Sequence, residues 1–350
     1  MSELRFQDVT VRYGNRRRGM TAVDRVSLTV PDGQVVGLVG ESGSGKSTLA
    51  KAAVGLTPLT GGRILLDGDP LSRRAGAPRP VQMVFQDPYS SLDPRMTTGD
   101  TIAETIPRRD GSGTRKVGRR REVGRLLELV GLEPERALEY PAQLSGGQRQ
   151  RVAVARALAG RPEVIIADEI TSALDVSIQG TVLNLVCELQ RQLGMSMLFI
   201  SHNLAVVRYV ASSIAVMYLG RIVEYGPTAQ VLADPQHPYT RDLLAAVPDP
   251  GRLPVIPAEQ DPALLAVADA EPADPHNPPA GCSFHPRCPV GPLVHADRDI
   301  CRAAEPSVEH QHRAACHFAA APHHVPGSPE LPALPGLPGL QAPRTPSPAR

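Results

Sequence analysis

Residues 35–48 read VVGLVGESGSGKST, and the order of residue types in that stretch decides the fold. Val35–Val39 is a short apolar run of the kind that parallel strands buried on both faces display. Gly40–Thr48 then satisfies G-x4-G-K-[ST] in full. A helix over Lys46–Gly55 follows, and Pro58 keeps it from continuing. Strand, glycine loop and helix in that order form a cradle for a phosphate chain. Glycines let successive N–H groups turn inward toward phosphate oxygens, and the helix adds its positive end. Lys46 can reach the β- and γ-phosphates, and the Ser47 hydroxyl can ligate Mg²⁺. Lysine occurs only at Lys46, Lys51 and Lys116, so its place in the loop is hard to attribute to composition. Gly40, Ser42, Gly43, Gly45, Lys46, Ser47 and Thr48 are therefore the candidate residues for binding ATP.

Working outward, Val164–Ala167 is a second continuous apolar run, and Asp168 and Glu169 close it (VIIADE). A carboxylate at the C-terminal end of a buried strand can hold Mg²⁺, which is the role expected of Asp168. Glu169 would then take the proton of an attacking water. Gln86 (VFQDP) follows another apolar run, and its amide could sense Mg²⁺ and that water. His202 (FISHN) sits just past the strand-like Met197–Ile200, where an imidazole could meet the γ-phosphate and hold the base. Tyr13 (VRYG) could stack on adenine. Taken singly, each has a plainer reading: two acids opening a solvated loop, a polar loop residue, a satisfied structural histidine, a core tyrosine. Leu144–Gln148 (LSGGQ) has no task inside its own nucleotide site, so it implies a second chain that needs it.

The rest of residues 1–248 reads as one α/β unit. Leu4–Val11, Val26–Val30 and Ile64–Leu66 are strand-like and bounded by turns. Residues 95–160 are helical in character, with apolar residues at helical spacing over Arg121–Val130 and Gln148–Leu158. Ile214–Tyr218 and Arg221–Tyr225 flank Leu219-Gly220 as a late β-pair. Residues 249–280 are rich in Pro, Ala and Asp and read as an extended connector. From Pro322 to Arg350, nine prolines fall in 29 residues, the composition of a disordered tail. A formal net charge of +1 gives no general cue for nucleic acid or an anionic surface. Eight Arg or Lys fall between Arg108 and Arg125, which reads as a solvated helix face or a contact with phosphate groups. No apolar run approaches the roughly 20 residues that span a bilayer, and the N-terminus lacks the build of a signal peptide, so a cytoplasmic location is expected.

Cys282, Cys288, Cys301 and Cys316 are separated by 5, 12 and 14 residues, in a proline-rich stretch with few apolar groups. In a reducing compartment such a set suggests a metal centre rather than disulfides. Four thiolates suit a [4Fe–4S] cluster or tetrahedral Zn²⁺, and the tight C-x2-C pairs usual for zinc are missing. His285, His312 and His317 are nearby substitutes. Cys187, within LNLVCELQ, reads as an inert core residue.

The sequence order of Tyr13, GESGSGKST, Gln86, LSGGQ, VIIADE, Ser172-Ala-Leu-Asp175 and His202 resembles the nucleotide-binding subunit of an ABC transporter over essentially all of 1–248. The resemblance implies a P-loop NTPase fold of ABC type: a RecA-like core, an antiparallel β-subdomain, and a helical subdomain at about 88–160, with the small Cys-rich segment 281–320 appended. It implies that Ser145, Gly146, Gly147 and Gln148 bind the γ-phosphate of ATP held by the opposite subunit, and that Asp175 communicates across that dimer. Two positions depart from the family pattern: Ile170 stands where proline is usual, and Asn203 where aspartate usually follows the histidine. MVFQDPYSSLDPRMTTGD, SALDVSIQGTVLNLV, HPYTRDLLAAVP and GCSFHPRCP resemble the oligopeptide and dipeptide branch, which includes nickel and glutathione systems. That resemblance favours iron–sulfur at the cysteines. It also implies a paralogous second ATPase, two transmembrane permease subunits meeting the stretch around 88–105, and an extracellular solute-binding protein. Peptide import is the leading expectation. Nickel or another small solute, and a soluble non-transport ATPase, are the alternatives.

Overall fold

The computed structural model describes residues 2–14, 19–71, 79–87, 91–107, 115–172, 174–246, 267, 269–271, 273–306 and 313–319. Most of the proline-rich connector, all of the 321–350 tail, residues 88–90, residues 108–114 of the basic cluster, and His312 lie outside these.

In chain order the structure begins with strands β1 (Leu4–Tyr13), β2 (Met20–Val30) and β3 (Val35–Val39), followed by helix α1 (Lys46–Ala53). Strands β4 (Gly61–Leu66), β5 (Asp69–Pro70) and β6 (Val81–Val84) come next. Helices α2 (Thr98–Thr105), α3 (Arg115–Leu129) and α4 (Gly146–Ala159) lead to strand β7 (Val164–Asp168). Helix α5 (Val176–Leu193), strand β8 (Ser196–Ser201) and helix α6 (Leu204–Val210) follow. Strands β9 (Ser213–Tyr218) and β10 (Arg221–Pro227) precede helices α7 (Thr228–Ala233), α8 (Pro238–Ala245) and α9 (Ile300–Ala303) and strand β11 (Arg313–Ala314).

The chain divides into two compact units. The first (1–83, 163–168, 195–324) holds the sheets. Its larger sheet has the strand order β11-β10-β9-β3-β8-β7-β6, with β3 parallel to both β8 and β9, and β7 parallel to β8. Every residue of β3, β7 and β8 is buried, which is why Val35–Val39, Val164–Ala167 and Met197–Ile200 are apolar runs rather than alternating ones. The smaller sheet has the order β2-β1-β4-β5 and is antiparallel. In β1, Leu4, Phe6, Val9 and Val11 are all buried; a bulge between Phe6 and Val9, with Asp8 at φ 47°, shifts the alternation by one residue. β11 pairs with β10 (Glu224 opposite Ala314), so the cysteine-bearing segment extends the main sheet by one short strand.

The second unit (84–162, 169–194) is helical. α2 and α3 pack on α4 through Ile102, Leu126, Leu127 and the Val/Ala-rich face of α4. Thr97 caps α2, accepting the Asp100 N–H at 3.1 Å. Gly194 ends α5 in the left-handed conformation at φ 62°. No helix among the described residues is long and apolar enough to cross a membrane.

Candidate functional site: a phosphate-binding loop and its partner motifs

The first unit carries the glycine loop expected to bind phosphate. β3 ends at Val39, and the loop Gly40–Gly45 runs directly into α1. Gly45 is the N-cap of α1 at φ 105°, and a Cβ there would lie 2.2 Å from the Ala22 carbonyl oxygen. No other residue type fits that turn. Lys46 is 4% exposed, and its ammonium donates to the Gly40 carbonyl at 2.7 Å, the Glu41 carbonyl at 2.8 Å and Ser44 Oγ at 3.3 Å. The Ser47 hydroxyl donates to Asp168 Oδ1 at 3.1 Å. Asp168 is buried at the end of β7, opposite Ile200 of β8. Parallel pairing thus aligns the C-terminal ends of β3, β8 and β7, where the loop, His202 and Asp168 follow or lie. A hydroxyl beside a buried carboxylate is a hard-oxygen donor pair that suits Mg²⁺. His202 is exposed just past β8, and Tyr13 at the end of β1 is 42% exposed, leaving its ring accessible.

In the second unit, Glu169 sits at φ 45°. Gln86 Nε2 donates to Glu169 Oε2 at 2.8 Å, and the Ser172 hydroxyl donates to the Glu169 carbonyl at 2.9 Å. The expected base and the expected glutamine are therefore in direct contact. Proline restricts the residue before it to extended backbone, so Ile170, itself buried, leaves Glu169 free to adopt this left-handed turn.

LSGGQ opens α4. Ser145 Oγ accepts the Gln148 N–H at 3.3 Å, and Gln148 Oε1 accepts the Ser145 N–H at 2.8 Å, a reciprocal capping box. Ser145 is exposed, and the first N–H groups of α4 have no intrahelical carbonyl to meet, which is the requirement for anion binding at a helix start. A Cβ at Gly147 would lie 2.6 Å from Ile178 Cγ2, so the second glycine is needed for packing against α5. Asp175 is exposed at the N-cap of α5. A separate cavity of about 540 Å³ in this unit is lined by Leu92, Met96, Thr101, Glu104 and Arg156 among others.

The cysteine segment gives a mixed answer. Cys282, Cys288, Cys301 and Cys316 all line one small cavity of about 10 Å³, so the four thiols are gathered as the spacing suggested. Burial pushes the Cys282 thiol up to about 11 and the Cys288 thiol up to about 12. Yet no group of three or more His, Cys, Asp or Glu among the described residues is arranged to hold a metal ion. The four thiols are chemically suited to a soft metal ion. Beside them, His285 Nδ1 is bonded to the Cys282 carbonyl and His317 Nε2 to the Ala304 carbonyl, each at 2.9 Å.

Residues 23–172 match the family described as ABC transporter, and residues 223–291 match the oligopeptide/dipeptide transporter C-terminal region. The chain belongs to the ATP-binding proteins of ABC transporters. It is 46% identical over 322 residues to a probable peptide ABC transporter ATP-binding protein of Sinorhizobium fredii, covering 88% of this chain and 86% of that one. A putative peptide import ATP-binding protein of Brucella abortus is 46% identical over 319 residues, covering 87% and 90%. A solved ATP-binding cassette, dimeric and bound to ADP and Pi, superposes with a TM-score of 0.57 at 28% identity, covering 64% of this chain and 98% of that one. The chain is thus an ABC-type ATPase that binds ATP, with the mixed α/β fold of that class.

Sequence reasoning missed Glu41. An acidic residue at a free position of G-x4-G-K carries no signal, yet several bonds converge on it.

Proposed function

We propose that this chain powers import of oligopeptides or dipeptides, working at the cytoplasmic face of a membrane with two permease subunits, a paralogous ATPase chain and an extracellular solute-binding protein. The observation that carries the cargo assignment is the oligopeptide/dipeptide C-terminal region following an ABC cassette in one chain. The groove beside Glu104 and Arg156 supports the permease contact, since its mixed apolar and charged lining suits an amphipathic cytoplasmic helix.

In this reading ATP lies between two ABC chains, its phosphates on Gly40–Thr48 of one and on the Ser145–Gln148 helix start of the other. Lys46 turns from its loop carbonyls to the β- and γ-phosphates. Ser47 and Asp168 would hold Mg²⁺, with Gln86 as a further contact; when bound, the ion neutralises phosphate charge. Glu169 accepts the proton of the attacking water, and His202 orients the γ-phosphate end. Tyr13 stacks on adenine, and Asp175 answers to the opposite chain. The Cys282, Cys288, Cys301 and Cys316 thiols would hold a [4Fe–4S] cluster, or Zn²⁺, in a structural role; the soft donor set is what supports this. Iron and zinc analysis of anaerobically purified chain, with a visible spectrum, tests it, and a colourless, metal-free protein rejects it.

The experiment for the whole reading is co-purification with the permease subunits and reconstitution into liposomes. ATP-driven peptide uptake that a saturating excess of unlabelled peptide competes away is the expected result. Uptake of nickel but not peptide would overturn the cargo, and failure to associate with any permease would overturn the importer.

A further inference from the structure

The cysteine-bearing segment reaches the phosphate-binding loop at Glu41, where several bonds meet. The Glu41 N–H donates to Tyr239 Oη at 2.8 Å. Its carbonyl accepts from Lys46 Nζ at 2.8 Å and from the Ser44 N–H at 3.2 Å. Its carboxylate accepts from Arg287 Nη1 at 3.3 Å and 3.4 Å. The pieces that arrive there are themselves anchored. Phe284 is 1% exposed and packs its ring 5.3 Å from Tyr218 and 5.5 Å from Tyr239, which sets Arg287 one turn further on. Tyr239 is 0% exposed at the start of α8, where the buried Glu224 carboxylate accepts the N–H groups of Gln236 at 2.7 Å and His237 at 3.0 Å.

We propose that Arg287 and Tyr239 are positioning residues for ATP binding. They hold Glu41 at its carboxylate and its N–H and, through its carbonyl, set the resting place of the Lys46 ammonium. A loop with glycine at 40, 43 and 45 has much backbone freedom, and any freedom left in the free protein is lost when nucleotide binds. Fixing Glu41 beforehand removes part of that loss, so the C-terminal segment raises nucleotide affinity without touching nucleotide. This inference rests on the reading of Gly40–Thr48 as the ATP site.

The test uses the full chain, with the non-hydrolysable analogue AMP-PNP and Mg²⁺ as the calorimetric probe and ATPase kinetics beside it. Arg287→Ala removes a partly exposed ion pair, so Kd for AMP-PNP and KM for ATP should rise about threefold to fivefold. Tyr239→Phe leaves the Glu41 N–H without its acceptor and should raise both roughly tenfold. In each case kcat should stay within about twofold, because neither side chain meets the attacking water. Arg287→Lys should restore most of the affinity. The control is Glu305→Gln, which breaks the same segment's pairs with Arg25 at 2.7 Å and Arg221 at 2.8 Å, away from the loop. It should leave Kd unchanged. Wild-type affinity in Arg287→Ala, or an equal loss in Glu305→Gln, would overturn the clasp while leaving the ATP site standing. A wild-type chain that binds no AMP-PNP would overturn both. Should Arg287→Ala fail to fold, Glu41→Gln makes the same test from the loop side.

Discussion

Ser145 serves the helix and, in the proposed mechanism, the nucleotide of another chain, and the two roles separate by substitution. As N-cap, its Oγ accepts the Gln148 N–H at 3.3 Å. Ser145→Ala removes that acceptor and should cost about 1 kcal/mol, lowering Tm by about 2–4 °C for a domain of this size. Ser145→Asp supplies an equally good cap, and its charge suits a helix N-terminus, so stability should stay at the wild-type level. The same carboxylate would face the γ-phosphate of the partner's ATP. At about 4 Å and an effective dielectric near 20, each pair of unit charges repels by about 4 kcal/mol. That corresponds to roughly a thousandfold loss of the closed dimer. The order of stability is therefore wild type and Ser145→Asp together, then Ser145→Ala. The order of activity is wild type, Ser145→Ala, then Ser145→Asp far below. Melting curves, ATPase rates and ATP-dependent dimerisation by light scattering read the two orders. Wild-type hydrolysis in Ser145→Asp would show that this helix start does not meet phosphate. A collapsed Tm in the same variant would show that the cap reasoning is wrong.

Glu169→Gln keeps an acceptor for the Gln86 amide, now 2.8 Å away, but removes the proton acceptor. Turnover should fall by about 10²–10⁴-fold with ATP affinity little changed, and unchanged hydrolysis would reject Glu169 as the base. Cys187 is half-buried, and burial pushes its thiol up to about 11. Its thiolate fraction near neutral pH is then roughly 300-fold below that of a free thiol, so iodoacetamide should label it in denatured protein and spare it in native protein by mass spectrometry. Rapid native labelling would place it at the surface.

What could be read in advance follows from how local the determining physics is. The loop at 40–48 and the acids at 168–169 are short motifs whose chemistry needs those residue types in sequence, and the runs Val35–Val39 and Val164–Ala167 are apolar because both faces of the sheet are covered. LSGGQ was legible as a motif, and its residues also have local tasks: Ser145 and Gln148 satisfy each other in a capping box, and Gly147 is required by Ile178. Other features were invisible because they are non-local. β11 is two residues long and exists only because β10 offers an edge to pair with, so no periodicity could announce it. Glu224 reads as an ordinary charge in a strand, but it is 0% exposed and satisfied by the N–H groups of Gln236 and His237.

The cysteines mark the limit between these two cases. Their spacing suggests a metal centre; the structure has Cys282, Cys288, Cys301 and Cys316 lining one small cavity, with no metal-holding group among the described residues. What order there is comes instead from Phe284 among Tyr218, Tyr239 and His237, from Glu305 between Arg25 and Arg221, and from β11 on β10. Those contacts belong to the nucleotide-binding unit rather than to the thiols, so the segment docks on β9, β10 and α8 by packing and charge. A segment held in this way has its position set by the ATPase core, and Arg287 is where that position meets the glycine loop, at Glu41.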